Sequence, residues 1–309
     1  DKSPPHWTRQ AGNRDFSPQD QAAFGQALSA LEARIAQAAA EGRDHAVADL
    51  IDPADRFAPL LNAFSAYYNG AEFDRISTRD YDAYEDSDVN WRAPAGYGAL
   101  IAEAGRPAPV VLQTPVSRVE RTGRRLTLRT PMGDLSTKLA IVTVPTGLIA
   151  TGELAFVPDL PALREACDGV PLGLADKVVL HLDEPTLVSP EGHLFGNPWR
   201  TDTGSYHLRP FGRPMIEAYL GGRHAKALED AGPDAAVAFV IDELVGLVGE
   251  DLRRRLRPLA VTRWAHDPWS RGAYSHALPG RADARTALRA PHADRILSAG
   301  AAAAPHRIA

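Results

Sequence analysis

This sequence contains little cysteine, no long apolar run and no excess of basic residues. The only cysteine among the 309 residues is Cys167, which excludes an internal disulfide and a cysteine-based zinc cage and favours a reducing, cytoplasmic compartment. No apolar run approaches the roughly 20 residues that a membrane-spanning helix requires, so we expect no membrane segment. The formal net charge is −5, whereas proteins that track phosphates concentrate Lys and Arg on one face, so we expect no nucleic-acid partner.

Several catalytic motifs are absent as well. The sequence contains no G-x-S-x-G elbow of a serine hydrolase and no phosphate-cradling G-x-x-x-x-G-K. No pair of histidines has metal-ligand spacing on a clear helix, so no metal site is expected. The nearest match to a dinucleotide-binding fingerprint is Gly96-Tyr97-Gly98, but Ile101 occupies the place of the third glycine and no apolar strand precedes the motif. A complete dinucleotide fingerprint is therefore missing.

What is present indicates a soluble globular protein whose N-terminal part is mostly helical. Hydrophobic residues make up 44% and charged residues 24% of the chain, which is long enough for one large domain or two ordinary ones. Ser17 can cap a helix whose apolar stripe ends near Gly42. A second helical pattern runs from Phe57 to Tyr67, where Pro59 predicts either a kink or a late start.

From Pro109 onward the apolar residues follow the two-residue period of strands. Residues 110–114, 116–121 and 126–130 predict an antiparallel meander. It leads into an apolar strand, Leu139–Val144, which we expect to be buried in the central sheet of an α/β domain. The remaining pattern predicts strands at Lys177–Leu182 and Met215–Leu220, a helix opened by Pro233, a strand into Trp264 and a final strand at Arg295–Ser298.

The most distinctive stretch runs from Trp264 to Gly280, W-A-H-D-P-W-S-R-G-A-Y-S-H-A-L-P-G. It places two Trp and a Tyr among Pro and Gly, a composition suited to lining something flat. Lys177, far earlier in the chain, opens the apolar run K-V-V-L-H-L. A lysine at a strand edge commonly keeps its ammonium in solvent, and Trp and Tyr commonly fill domain interfaces, so ordinary packing remains an alternative reading of both features.

Ordered landmarks from Asn90 to His306 resemble those of the flavin-containing amine oxidases. The landmarks are W-R-A-P-A-G-Y-G-A-L-I, P-V-S-R-V, I-V-T-V-P-T-G-L-I, F-V-P-D-L-P, D-K-V-V-L, W-A-H-D-P-W-S-R-G-A-Y-S and I-L-S-A-G. Each is weak alone, but the set in this order is specific. The resemblance implies an enzyme that uses FAD to oxidise a primary or secondary amine, with dioxygen reduced to hydrogen peroxide.

The resemblance also implies a mixed α/β fold with two interleaved domains. Residues 92–152 and 272–309 would belong to an incomplete Rossmann-like FAD-binding domain, and residues 1–91 and 153–271 to a substrate domain with a mixed sheet flanked by helices. Family members open with a strand and a G-x-G-x-x-G turn that this chain lacks. We therefore expect the chain to be part of a longer protein, and we leave a homodimer open.

The same resemblance assigns roles to single residues. Lys177 would stand near the flavin N5, and Tyr274 would form one wall of the aromatic pocket that guides the amine, so these two are the candidate catalytic residues. Trp264 would pack along the flavin and Val116 would lie against its adenine end. The other candidate cofactor contacts are Gly96, Gly98, Pro145, Ala273 and Gly300.

Two departures from the family pattern bear on the cofactor. Ala273 stands where the mammalian monoamine oxidases carry the cysteine that is covalently bonded to FAD, so we expect non-covalent FAD. Ala301 stands where the family often has a glutamate that contacts the cofactor. A second function therefore stays open, in which the chain is a non-catalytic substrate-domain module that does not hold flavin by itself.

Three further groups of residues have both a functional and a structural reading. The acidic run Asp80, Asp82, Glu85, Asp86 and Asp88 could steer cationic amines, although a solvated loop is the favoured reading. The tyrosines at 67, 68, 81 and 84 could reach a substrate entrance or simply pack. The third group is His207, Arg209 and Arg213, which could bind a carboxylate or simply lie at a surface turn.

Overall fold

The computed structural model describes residues 16–85 and 91–304 and shows the expected mixed α/β fold. Among these residues, no helix combines the length and the apolar character needed to cross a membrane. The helices are α1 (Pro18–Ala40), α2 (Ala58–Asn69), α3 (Thr78–Asp82), α4 (Tyr97–Gly105), α5 (Thr146–Ala150), α6 (Pro161–Gly169), α7 (Gly222–Ala231), α8 (Pro233–Val248) and α9 (Ala284–Arg289). The strands are β1 (Arg118–Glu120), β2 (Leu126–Arg129), β3 (Leu135–Thr137), β4 (Ala140–Val142), β5 (Ala155–Val157), β6 (Ala175–Leu182), β7 (Gly192–Phe195), β8 (Ser205–Leu208), β9 (Met215–Gly221), β10 (Leu256–Val261) and β11 (Ile296–Ser298).

Helices α1 and α2 begin where local sequence signals predict. The Ser17 hydroxyl accepts the Asp20 N–H at 3.1 Å, and the Asp20 carboxylate accepts the Ser17 N–H at 3.1 Å. This reciprocal capping box satisfies two backbone donors that a helix N-terminus otherwise leaves open. Helix α2 starts at Ala58 with Pro59 in its first turn, where proline needs no N–H partner, so the late start is confirmed and the kink is not.

The N-terminal helices share one aromatic and aliphatic core. Trp199, from the connection between β7 and β8, packs onto this core and stacks on Phe57 with ring centroids 6.1 Å apart. The helical segment is therefore attached to the strand-rich part of the chain by packed side chains. The buried members of this core include Phe24, Leu31, Ile35, Val47, Phe57, Leu60, Leu61, Phe64, Phe73 and Ile76.

The largest sheet of the described residues has five strands in the order β10-β6-β9-β8-β7. Every pairing in it is antiparallel, where a mixed sheet was expected. Antiparallel pairing follows because β7, β8 and β9 are consecutive and joined by short connections that reverse the chain. One face of this sheet packs against α7 and α8 and buries Val178, Leu180, Tyr206, Ile216 and Val240.

A second core lies under the smaller sheets. Strands β3, β2, β1 and β5 form a four-stranded sheet in that order, and β4 pairs with β11 in parallel. Helices α5, α6 and α9 pack beside them. The core includes Val119, Leu126, Phe156, Leu163, Cys167, Leu288 and Ile296.

The strand predicted at residues 110–114 is wrong. Val110, Val111 and Leu112 are 67%, 73% and 78% exposed and belong to no strand. Gln113 has φ of 54°, in the left-handed region, which interrupts the extended conformation that a strand requires.

The prediction of a fully buried strand at Leu139–Val144 is also wrong. Only Ala140–Val142 is a strand, while Leu139 and Ile141 are 57% and 66% exposed. Val142 is buried in the second core, and Ala140 packs against it. Among the described residues β4 pairs only with β11, and no described element covers the opposite face, so side chains that alternate along the strand are buried on one side only.

Asp80 is buried, which corrects its assignment to a solvated acidic loop. It is 2% exposed, and its carboxylate accepts hydrogen bonds from the Arg285 guanidinium and from the Ala277 N–H at 2.8 Å. Arg285 also donates to the Ser275 carbonyl at 3.0 Å and to the Ala301 carbonyl at 3.2 Å. The pair thus joins α3 to α9 and to the two segments that follow Tyr274 and Gly300. Asp86 and Asp88 lie outside the described residues.

We predict that Asp80→Ala destabilises the fold by about 3–5 kcal/mol, because it leaves the Arg285 guanidinium buried without its counter-ion. Asp283→Ala is the matched control, since Asp283 pairs with Arg79 at the surface and its side chain is 81% exposed. We expect a loss below about 1 kcal/mol for the control. Chemical denaturation measures both values, and equal losses would contradict a structural role for the buried pair.

Candidate active site

The face of the five-stranded sheet opposite its core carries polar and aromatic side chains. Strand pairing places Lys177 opposite Tyr219, and Tyr219 opposite Ser205. Because side chains alternate along a strand, the next residues, Val178 and Ala218, point into the core. Lys177 therefore stands at the start of β6 on the open face, in a row with the Tyr219 hydroxyl.

A second row on the same face contains Glu217 on β9, His207 on β8 and His193 on β7. The rings of His193 and His207 stack with centroids 4.2 Å apart. Burial lowers the pKa of His193 to about 4, and the neighbouring His207 lowers it further in the same direction, so His193 is neutral at neutral pH. The row ends in an uncharged imidazole.

Glu191 fixes His207 from outside this row. Its carboxylate accepts His207 Nε2 at 2.9 Å, Arg92 Nη1 at 2.7 Å and the Phe211 N–H at 2.5 Å. Burial opposes ionisation here, but the hydrogen bonds from Arg92, His207 and Phe211 outweigh it and lower the pKa of Glu191 to about 2. Glu191 is therefore a carboxylate at all physiological pH values and holds the imidazole plane.

These rows form one wall of a cavity of about 560 Å³. Helix α2 contributes aromatic side chains to a second wall, and the segment around Tyr274 contributes a third. Its volume falls in the range of small-molecule sites. It is lined by Phe64, Tyr67, Tyr68, Tyr84, Lys177, His193, Phe195, Ser205, His207, Glu217, Tyr219, Ala273, Tyr274, Ser275 and Ala301.

Backbone contacts of Gly173 place the Tyr274 segment beside Lys177. Gly173 N–H donates to the Tyr274 carbonyl at 2.7 Å, and the Gly173 carbonyl accepts the Ala273 N–H at 2.8 Å. A side chain at Gly173 would bring its Cβ within 2.6 Å of the carbonyl oxygens of Asn69 and Gly70 at the end of α2. Glycine is required here by close backbone approach, and β6 begins two residues later.

The Tyr274 ring is held by a second tyrosine. Its hydroxyl shares a short hydrogen bond with the Tyr219 hydroxyl. Burial raises the pKa of Tyr219 well above its usual value, and the neighbouring Tyr274 raises it further. The Tyr219 hydroxyl is therefore protonated at neutral pH, and it shares one hydrogen bond with the Tyr274 hydroxyl. The pair fixes an aromatic wall that continues to Tyr67, whose ring centroid lies 6.2 Å from that of Tyr219.

Lys177 is ion-paired inside the cavity. Its Nζ lies 3.0 Å from Glu217 Oε2, and both side chains are partly open to the cavity. The Lys177 carbonyl accepts the Thr262 N–H at 2.9 Å, which ties the start of β6 to the chain just before Trp264. Trp264 is itself 41% exposed, beside this end of β6 and outside the cavity lining.

Pro145 and Gly300 follow the carboxyl ends of the parallel strands β4 and β11. A Cβ at Gly300, where φ is +114°, would lie 4.0 Å from the Thr143 carbonyl oxygen, so the two strand ends are adjacent. Ala301, next to Gly300, lines the cavity. In open α/β sheets ligands bind at the carboxyl ends of the strands, so this edge is a favourable place for a cofactor.

Of the seven predicted cofactor residues, only Ala273 lines the cavity; Trp264, Pro145 and Gly300 lie outside its lining, and Gly96, Gly98 and Val116 lie elsewhere in the fold. Gly96 precedes α4 and Gly98 lies in its first turn, both exposed. Val116 packs against the second core. Of the predicted carboxylate site, His207 lines the cavity, whereas Arg209 and Arg213 donate to the backbone carbonyls of Val188 and Pro94. Tyr81 contacts Phe73, while the tyrosines at 67, 68 and 84 reach the cavity.

Sequence reasoning missed Tyr219, Glu217 and His193. The alternation in I-E-A-Y-L, with polar groups at two-residue spacing in an otherwise apolar strand, is the signal that could have found the first two. Their partner strand could not be read locally, because Lys177 is 40 positions from Glu217. His193 lies on a short edge strand with no comparable signal.

The chain is similar in sequence to known proteins. A family model described as "Flavin containing amine oxidoreductase" matches residues 11–308. Lysine-specific histone demethylase 1 homolog 3 from Oryza sativa subsp. indica is 27% identical over 229 residues, which cover 69% of this chain and 28% of that protein. Polyamine oxidase 4 from Oryza sativa subsp. japonica is 28% identical over 218 residues, covering 68% of this chain and 44% of that protein. The chain thus spans less than half the length of these two relatives.

Solved structures share the fold at lower sequence identity. Putrescine oxidase bound to putrescine superimposes with a TM-score of 0.75 at 15% identity, covering 96% of this chain and 73% of that one. Cyclohexylamine oxidase from Brevibacterium oxydans gives a TM-score of 0.72 at 21% identity, covering 95% of this chain and 71% of that one. These likenesses show a common architecture.

We predict that Gly173→Ala destabilises the fold by roughly 2 kcal/mol or more, because backbone atoms cannot move away from the new Cβ without breaking the contact of α2 with the Tyr274 segment. Gly25→Ala is the matched control: no atom lies within 4 Å of its added Cβ, and the site is inside α1. The control should gain about 0.5–1 kcal/mol from helix propensity. Chemical denaturation distinguishes the signs, and a neutral Gly173→Ala would contradict the tight junction.

Proposed function

We propose, since the chain belongs to the family of flavin-containing amine oxidoreductases, that it oxidises a primary or secondary amine with non-covalent FAD and passes the electrons to dioxygen. Hydrogen peroxide and an imine, which hydrolyses to an aldehyde, would be the products. One observation carries this proposal: Lys177 and Tyr274, the two candidate catalytic residues, line the same aromatic cavity although they are far apart in the chain. The names polyamine oxidase, putrescine oxidase and cyclohexylamine oxidase among the similar proteins have an amine donor in common.

The described residues fit the flavin end of the cofactor. Ala273 and Ala301 give one side of the cavity small side chains, which leave room for a flat ring. Lys177, Ala273 and Tyr274 would contact that ring, with Trp264 beside the same end of β6. Pro145 and Gly300 would hold the cofactor at the strand ends. Gly96, Gly98 and Val116 would contact it further from the ring, a prediction that stands on the family resemblance alone.

FAD, when bound, accepts the hydride from the carbon beside the amine nitrogen. The cavity prepares the amine for this transfer. Its aromatic walls, with Phe64, Phe195 and Tyr219 among them, exclude water and disfavour an ammonium, which lowers the pKa of the amine and leaves its lone pair free. The neutral imidazole of His193 adds no positive charge that would repel residual ammonium.

Lys177 and Tyr274 have separate roles in this arrangement. The Lys177 ammonium places a positive charge at the ring, where it favours negative charge that develops during electron transfer to the ring and then to dioxygen. Glu217 accepts its hydrogen bond at 3.0 Å and so orients it. Tyr274 presents an aromatic wall whose angle is held by Tyr219. No protein nucleophile takes part.

The position of the thiol supports the proposal that FAD binds non-covalently. Ala273 has no nucleophile beside the ring, and Cys167 is buried in the second core, away from the cavity lining. Burial raises the pKa of the Cys167 thiol to about 12, with Asp168 raising it further, so the reactive thiolate is not populated at neutral pH.

The direct test is an absorbance spectrum of the purified chain with added FAD, followed by anaerobic addition of putrescine or cyclohexylamine and by acid precipitation. We expect flavin bands that co-purify with the chain, bleach with one of the amines, return with dioxygen and move to the supernatant on precipitation. A chain that is folded by circular dichroism but holds no FAD would contradict the proposal. It would support the second candidate, a binding module without flavin, which the coverage of only 28–44% of two relatives also permits.

We predict that Lys177→Met slows reoxidation of the reduced flavin by dioxygen roughly 10-fold or more beyond any effect on its reduction by amine, because the positive charge beside the ring is lost. Stopped-flow absorbance separates the two half-reactions. Lys226→Met is the matched control, since Lys226 is also half-exposed and paired with a carboxylate, Asp230, but lies on α7 outside the cavity. Equal slowing of both half-reactions, or the same change in the control, would remove the assigned role.

A further inference from the structure

Two buried carboxyl groups hold the backbone around Trp264. Asp176 Oδ1, on β6, accepts the Trp264 N–H at 3.2 Å. Glu229, on α7, accepts the N–H groups of Ala265 at 3.3 Å and His266 at 2.8 Å. Three consecutive amides therefore depend on two side chains from different elements, and the path of the chain at Trp264 is set by them.

Asp176 also connects this loop to Lys177. The Thr262 hydroxyl donates to Asp176 Oδ1 at 2.7 Å and accepts the Lys177 N–H at 2.8 Å. Because Asp176 and Lys177 are adjacent on β6, their side chains point to opposite faces of the sheet. A change at Asp176 is therefore transmitted through backbone to the residue that lines the cavity, without Asp176 entering the cavity itself.

When both are ionised, the Asp176 and Glu229 carboxylates only accept hydrogen bonds, so neither can donate one to the other. Asp176 and Glu229 are each 4% exposed, and they line the same small cavity. Asp176 Oδ2 nevertheless finds no donor in the described part of the chain. Two ionised carboxylates in a buried site repel each other, and an acceptor buried without a donor is unfavourable. One proton on the pair removes both problems, because it lies between two acceptors.

We propose that Asp176 and Glu229 act as one carboxyl pair that positions Trp264 and the Lys177 end of β6 and that shares one proton in mildly acidic solution. The two residues are positioning residues, since neither lines the cavity. The effect of Trp264 on flavin rests on the proposed function. The shared proton and the fixed position of the Trp264 segment do not depend on it.

None of the described charged groups around the pair donates a hydrogen bond to Asp176 Oδ2. His266 Nδ1 lies 2.9 Å from Glu229 Oε1, so its imidazole is the competing titratable group, with its side chain 44% exposed. Arg263 donates to the Glu229 backbone carbonyl at 3.4 Å, not to its carboxylate. Lys226 is paired with Asp230 at the surface. On the opposite face of the sheet stand the Lys177 ammonium, which Glu217 neutralises, and the neutral Tyr219.

The pH dependence of stability follows from the same contacts. Burial raises the pKa of Asp176 to about 6, with the neighbouring Glu229 adding to the rise and the hydrogen bonds from Thr262 and Trp264 opposing it. An unfolded Asp titrates near 3.9, so the native state holds the proton more tightly. The resulting stabilisation is full below about pH 4 and is lost as pH rises to about 6, a change of roughly 100-fold in the folded-to-unfolded ratio.

Asp176→Asn is the decisive variant. Its amide oxygen can still accept from Thr262 and Trp264, and its NH₂ donates to Glu229 permanently, so no proton is needed. We expect this variant to lose the decline in stability between pH 4 and pH 6 and to be at least as stable as the wild type at pH 7. Denaturant titrations across this pH range on the chain without FAD or amine make the outcome independent of the proposed function.

Three variants complete the experiment. Asp230→Asn alters the neighbouring exposed carboxylate, and His266→Gln removes the competing titratable group; each should keep the wild-type decline. Asp176→Ala should be less stable at every pH. Fluorescence of Trp264, obtained as the difference from matching Trp264→Phe chains, should shift to the red in Asp176→Ala and stay unchanged in Asp176→Asn.

Any of three results would overturn the proposal. The first is an Asp176→Asn chain that keeps the wild-type decline in stability, and the second is one that fails to fold. The third is a decline that disappears with His266→Gln, which would assign the titration to the imidazole. A Trp264 signal that is the same in Asp176→Ala as in the wild type would show that the pair stabilises the fold without positioning the loop.

Discussion

The two backbone hydrogen bonds of Gly173 join the Tyr274 segment to the start of β6, and the cavity exists because of this junction. The N–H of Gly173 and its carbonyl bond to Tyr274 and Ala273 at 2.7 and 2.8 Å. The next residue, Leu174, donates to Gly70 at the end of α2 at 2.8 Å and accepts the Gly222 N–H at 2.9 Å. One short stretch thus fixes a helix end, two strands and the aromatic loop relative to each other, so the cavity walls need no ligand to bring them together.

The antiparallel sheet has one apolar face and one face with polar side chains. One face buries aliphatic side chains against α8, while the other presents Lys177, Glu217 and Tyr219 to the cavity. The polar groups on the open face are paired with one another: Lys177 with Glu217, and Tyr219 with Tyr274. Pairing limits the desolvation that an aromatic, water-poor cavity imposes on a charge, and it also gives each functional group one orientation.

Local signals predicted much of the fold, and the family resemblance predicted part of the site. The cap at Ser17 is visible because its partner is three residues away, and the resemblance selected Lys177 and Tyr274, which the structure brings to one cavity. The alternation within its own strand could have marked Tyr219 as a polar-face residue, but its contact with Tyr274 arises only when distant segments fold together. The solvated reading of Asp80 is wrong for the same physical reason: its partner is an arginine 205 positions later, and only folding brings the two together.

The central claim is that one cavity serves both flavin and amine. A crystal structure of the chain with FAD and a slowly oxidised amine tests this claim most directly. The account predicts the flavin ring against Ala273 and Tyr274 on the Lys177 side of the cavity, with the amine between that ring and the aromatic residues of α2. Flavin density at another surface, or a cavity that admits neither molecule while the fold is unchanged, would contradict it.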